Sequence, residues 1–226
     1  MNAKARETKL LILLILASLF LLNDFAMIPV KRYIPWLMID YGTRIAAIAI
    51  MFAVVRRNIS SVNDFGLRNT PLRGLIQWSI LLTLTGILID QVGWRYLEYL
   101  LPDTHLMSIP KTKNLYLTVF DLTAGLALVS VSEELIFRGY FISTLRFYTN
   151  NTAAIIVLSS VTFGLIHWSM GIHAILSTAL WGILPMAAVI RTGSIYPAII
   201  AHYLADLVSF TSPIPERWFD FIKGTF

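Results

Sequence analysis

Along the chain, apolar positions gather into long unbroken runs separated by short polar segments. Runs fall near residues 10–30, 35–55, 73–91, 118–147, 152–170, 172–190 and 194–212. A helix needs about 20 apolar residues to cross the hydrocarbon of a bilayer, and these runs reach or approach that length. None shows the strict alternation of a barrel strand. In lipid only helices and closed barrels satisfy every backbone group. The pattern therefore predicts an all-α, polytopic membrane helix bundle of seven or eight transmembrane helices. The first run, Leu10–Leu22, follows Lys4, Arg6 and Lys9 as the core of a signal peptide does. No small-residue cleavage site follows it, so it reads as a retained span.

Two polar segments organise the chain. Arg56–Arg73 holds Asn58, Asp64, Gly66 and Pro71 and reads as a loop. Gly93–Asn114 holds Pro102, Pro110 and several charges. It divides an N-terminal set of helices, 1–114, from a core, 115–212, with a tail at 213–226. Nearly all the unusual polar residues come after this boundary, and the spans before it look featureless. With the N-terminus inside, the inner segments carry Lys4, Arg6, Lys9, Arg56, Arg57, Arg68, Arg73, Arg146 and Arg191. The outer segments carry Lys31, Arg32, Arg95, Lys111, Lys113, Arg217 and Lys223. That is nine against seven, a slight bias toward an N-terminus inside.

Composition sharpens the class. Of 226 residues, 57% are hydrophobic and only 14% charged, with mean hydropathy +0.70. Soluble domains carry roughly 25% charged residues, so both a soluble protein and a disordered one are excluded. With no cysteine, disulfide scaffolds, zinc–cysteine sites, iron–sulfur clusters and thiol nucleophiles are excluded too. The net charge of +5 comes from residues scattered singly and in pairs beside the spans. This matches a membrane setting and gives no nucleic-acid partner.

A charge in hydrocarbon costs about 2.5–3.5 kcal/mol or more, so polar residues within spans need a reason. The fourth run carries Glu133, Glu134 and Arg138. Glu134 and Arg138, four apart, share a helix face and can pair. A pairing role leaves Glu133 uncompensated. The fifth run carries His167 and the seventh His202 and Asp206, again four apart. His173 falls at a span end and receives no role. Counted at about 1.5 Å per residue, Glu133, His167, His202 and Asp206 lie within about 10 Å of one level. Such a set can activate water and hold an oxyanion, or bind a divalent metal through His and carboxylate ligands. Buried Glu, His and Asp also serve proton-coupled transporters, though no internal repeat of the transporter kind is present. A non-catalytic scaffold or immunity factor is a third class.

Three motifs now stand in order: Glu133-Glu134-x-x-x-Arg138 followed by Gly139, then Phe163-x-x-x-His167, then His202-x-x-x-Asp206. Together with Arg191–Ile199, they make residues 118–210 similar to the CPBP intramembrane proteases. This is the Abi or CAAX-protease family, whose eukaryotic members are type II CAAX prenyl endopeptidases. The resemblance implies an intramembrane endopeptidase of glutamate- or metal-dependent type. Glu133 would activate water together with His167, Glu134 would pair with Arg138 and shape the site, and His202 with the residue four later would stabilise the oxyanion. Family prenyl endopeptidases often carry Asn there, whereas this chain has Asp206. An ionised Asp cannot donate to an oxyanion. Either it is protonated, or it orients His202, or it is a metal ligand. The family implies either no cofactor or a divalent metal such as Zn2+. Its ligands would come from Glu133, His167, His202 and Asp206. The expected partners are membrane lipids and a peptide or protein substrate, lipidated or not. The expected location is a prokaryotic cell membrane, with the protein in multi-pass form.

Overall fold

In a computed structural model, residues 3–220 are described. The far end of the expected tail, with Lys223, lies outside them. The described residues hold seven long helical stretches and no strand. These are α1 (Ala3–Met27), α2 (Tyr33–Arg56), α3 (Leu72–Leu100), α4 (Leu115–Leu145), α5 (Thr152–Leu165), α6 (Ile172–Thr192) and α7 (Tyr196–Thr211). Five of them are long and apolar enough to cross a membrane. The other two, α5 and α7, have 14 and 16 residues. At about 1.5 Å per residue they fall short of a ~30 Å hydrocarbon core.

Local chemistry sets the ends. Asn114 and Asn151 cap α4 and α5, their side chains accepting from the backbone N–H groups of Leu117 and Ala154. Gly193, with φ 73°, closes α6 in the left-handed region. Pro197 sits in the first turn of α7, where its missing N–H costs nothing. α3 runs nine residues beyond its expected end at residue 91, through a π turn at Ile89–Gly93. Two further π turns, Asp121–Gly125 and Leu135–Tyr140, interrupt α4.

Contacts between loops sort the ends of the bundle. At one end the backbone N–H of Ile195 donates to Gly66, and Lys9 of α1 pairs with Asp64 at 3.4 Å. At the other end Leu106 and Met107 donate to the Ser169 carbonyl, and Ile172 donates to the Thr104 hydroxyl. Successive helices thus run in opposite directions. The main core packs Leu16 and Phe20 of α1 against Phe137 and Tyr140 of α4, Phe163 of α5 and Met186 of α6. Leu11, Phe52, Leu84 and Val157 point outward, giving the bundle an apolar belt suited to lipid tails. The chain is an integral membrane protein by this composition and architecture.

Candidate active site

A cavity of about 460 Å³ opens between the helices. Glu133, His167, His202 and Asp206 all line it, as do Asp24, Asp40 and Arg44 from the first two helices. The lining also includes Trp94, Met107, Ile109 and Pro213. These belong to the end that carries the 101–114 loop, and no lining residue comes from the loops at the other end.

Each polar side chain arrives for a local reason. Glu133 and Glu134 end the regular part of α4, immediately before the π turn Leu135–Tyr140. Widened turns of this kind re-aim side chains and gather at functional sites. Here the turn leaves Arg138 Nε 3.3 Å from Glu134 Oε2, with both residues fully buried. The expected Glu134–Arg138 ion pair is present, without hydrogen-bond geometry. The guanidinium also lies 4.0 Å from the centre of the Phe163 ring, a cation–π contact in a dry setting.

His167 differs from expectation in its setting. The helix was expected to run to residue 170, but α5 stops at Leu165 and His167 stands in the turn beyond it. Its backbone N–H donates to Gly164, while its ring Nδ1 lies 2.9 Å from the Phe163 carbonyl. In a continued helix that carbonyl would accept the backbone N–H of residue 167. The ring takes the freed acceptor instead. A carbonyl can only accept, so Nδ1 carries a proton, and in the neutral ring Nε2 keeps its lone pair.

His202 of α7 bridges the carboxylates. Its Nδ1 is 3.0 Å from Glu134 Oε1. Its Nε2 is 3.5 Å from Asp206 Oδ2 and 3.8 Å from Glu133 Oε2. Trp181 and Phe163 pack against the ring edge-on. His173 lies apart in a small pocket with Glu98, Asp103 and His105.

Sequence reading missed Asp40 and Arg44. Arg44 Nη1 is 2.6 Å from Glu133 Oε1, and Nη2 is 3.0 Å from Asp40 Oδ1. The signal was available, since both residues sit four apart within an apolar run, as Glu134 and Arg138 do. Fourteen of the eighteen basic residues fall outside the runs and two more, Arg73 and Arg146, stand at run ends, leaving Arg44 and Arg138 as the basic residues well inside them.

A metal fits this arrangement poorly. Among the described residues no group of three His, Asp or Glu side chains is set to hold one. Glu133 already holds a guanidinium, and both ring nitrogens of His202 face carboxylates.

No curated protein and no solved structure gives a match. Residues 115–208, which carry Glu133, Glu134, Arg138, His167, His202 and Asp206, match the family model of Type II CAAX prenyl endopeptidase Rce1-like proteins, in agreement with the CPBP family.

Proposed function

We propose that the protein is an intramembrane endopeptidase that uses Glu133 and His167 to activate water, acting on prenylated CAAX-type proteins or small peptides. The membrane architecture and the family match support a membrane protease. The observation that carries the finer reading is Glu133 Oε2. This atom is buried without a hydrogen-bond partner and lies 3.8 Å from His202 Nε2, in a residue that lines the same cavity as His167. A buried carboxylate oxygen left open is costly unless it serves a ligand or water.

In this mechanism a water between Glu133 Oε2 and His167 Nε2 attacks the scissile carbonyl carbon. Glu133 takes the water proton, and the new C–O bond places the negative charge on the carbonyl oxygen. His202 donates to that oxyanion through Nε2 while its Nδ1 is anchored on Glu134. Collapse of the intermediate breaks the C–N bond, and the proton passes from Glu133 to the departing amine. The products are a carboxylic acid and an amine, which pass the remaining proton between them to leave as carboxylate and ammonium. Asp206, beside His202 Nε2, orients that ring, which is how a carboxylate can serve where a donor is expected. The apolar mouth around Trp94, Met107 and Ile109 suits an apolar or lipidated segment.

The test is mass spectrometry of a farnesylated CAAX-type peptide and an unmodified peptide library, incubated with purified wild type or Glu133→Gln protein in proteoliposomes. Cleavage by wild type, reduced about 100-fold or more in the variant, is the expected result. Equal cleavage by a folded Glu133→Gln protein sinks the mechanism. Proton flux without any cleavage favours a transporter instead.

A further inference from the structure

The core that matches the protease family supplies four buried or half-buried carboxylates, Asp121, Glu133, Glu134 and Asp206, but one buried guanidinium, Arg138. Arg138 reaches Glu134, and His202 stands between Glu134 and Asp206. Within that core Glu133 has no strong cationic contact, its nearest being His202 Nε2 at 3.8 Å. Its close cation comes from α2, outside the matched segment, as Arg44 at 2.6 Å.

The geometry of Arg44 is a fork. Nε and Nη2 face the Asp40 carboxylate at 3.1 and 3.0 Å, and Nη1 reaches across to Glu133 Oε1. The Phe20 ring lies beneath the guanidinium, 5.5 Å from its central carbon. A planar guanidinium held on two sides cannot swing, so it fixes the Glu133 carboxylate plane as well. One oxygen of Glu133 is thereby occupied and the other is left without a hydrogen-bond partner, in a residue that lines the cavity.

We propose that the Asp40–Arg44 pair of α2 is a positioning device for the catalytic carboxylate, clamping Glu133 Oε1 so that Oε2 alone is presented to water. Asp40 holds Arg44, and Arg44 holds Glu133. The N-terminal helices thus complete a site whose reacting groups all lie in the core. This assignment rests on the proteolytic reading for its catalytic meaning, but the clamp itself is a property of Glu133 that can be read without turnover.

The test pairs a spectroscopic and a kinetic measurement on the full chain in detergent. Infrared difference spectra of protein with isotope-labelled glutamate, wild type minus Glu133→Gln, isolate the Glu133 band. Arg44→Gln is expected to displace that band or replace it with a carboxylic-acid band, while Arg44→Lys keeps a carboxylate. A Glu133 band unchanged in Arg44→Gln overturns the clamp. On the farnesylated peptide, Arg44→Gln is expected to lower kcat about 100-fold with KM nearly unchanged, the scale of a misplaced reacting group. Arg44→Lys, a point charge without the fork, should recover part of that loss. A wild-type kcat in folded Arg44→Gln, or a loss confined to KM, overturns the positioning role. Because Arg44→Gln leaves Asp40 and Glu133 facing each other, the double variant Asp40→Asn with Arg44→Gln is measured beside it. It relieves the repulsion, and a fully restored kcat would overturn the proposal. If wild type cleaves nothing, the proteolytic reading fails while the infrared result still decides the clamp.

Discussion

Glu134 carries two partners at once. One oxygen faces Arg138 at 3.3 Å and the other accepts from His202 at 3.0 Å. The pair is fully buried, so removing one side strands a charge at about 3–5 kcal/mol. Glu134→Ala should therefore lower the melting temperature of detergent-solubilised protein and also release His202, with loss of activity. The double variant Glu134→Gln with Arg138→Gln strands no charge and should regain part of the stability but little activity. Melting curves of both singles and the double close the cycle, and simple additivity would show that the residues are uncoupled. This pair was legible because both members lie in one helix at a fixed spacing. The spacing of Asp40 and Arg44 carried the same signal, but their meaning depends on Glu133, eighty-nine positions beyond Arg44. No local pattern encodes which of several spans will lie opposite.

Helix boundaries show the same limit at the next scale. The run 152–170 contains no proline and stays apolar past Gly164, so the pattern alone extends the helix past residue 165. What stops it is a side chain, His167, competing for the Phe163 carbonyl. The same event that ends α5 fixes the tautomer of the ring. Helix spacing, by contrast, has a local signature: Ser160 and Gly164 of α5 are small enough for close approach, and they meet Gly182 and Ile175 of α6. A Cβ on Gly164 would lie 2.5 Å from the Ile175 carbonyl oxygen. Backbone cannot yield as a side chain can, so Gly164→Ala should force α5 and α6 apart. The expected loss is about 1–3 kcal/mol, read as a lower melting temperature. An unchanged melting temperature would mean that the two helices do not approach this closely. Activity should fall with it, since α5 carries His167 to the cavity.

The loop joining α2 to α3 is held to α1 by charge. Burial pulls the Asp64 carboxyl upward, but the Ser61 backbone N–H and the Lys9 ammonium outweigh it and hold the group below its ordinary value of 3.8. A carboxylate depressed in the folded state stabilises above its unfolded pKa, and that contribution is lost as pH falls through the depressed value. With the Asp64 side chain 35% exposed, the contribution is small, about 1 kcal/mol at most. Melting temperatures of wild type and Asp64→Asn should differ slightly at neutral pH, begin to converge near pH 3.8 and meet only below the depressed folded value. A gap that persists in acid would assign the effect to hydrogen bonding of the neutral side chain.

At the scale of the whole molecule, the alternation of helices and the one-sided cavity make a single topological claim. Loops 57–71 and 193–195 meet at one end through Gly66 and Ile195, and loops 101–114 and 166–171 meet at the other through Met107 and Ser169. Loop residues in the cavity lining come from the second end, and a mouth there is the entry the proposed function uses. The basic residues favour the first end as the inner one by only nine to seven, so charge alone decides little. The absence of cysteine makes the question directly accessible, because any introduced thiol is the only one in the chain. Asn58→Cys and Asp103→Cys replace exposed residues at opposite ends, neither of them in the cavity lining. In sealed, oriented vesicles a membrane-impermeant maleimide should label one variant from outside, and the other only after permeabilisation. If the inner end is the one with the basic excess, Asp103→Cys is the variant labelled on intact cells. Substrate must then enter from outside, where a lipidated cytoplasmic protein would not reach the mouth. The reverse labelling would put the mouth in the cytoplasm and agree with a CAAX-type substrate made there. Labelling of both variants from the same side would break the alternation itself, and with it the packing of α3 that joins the two loops.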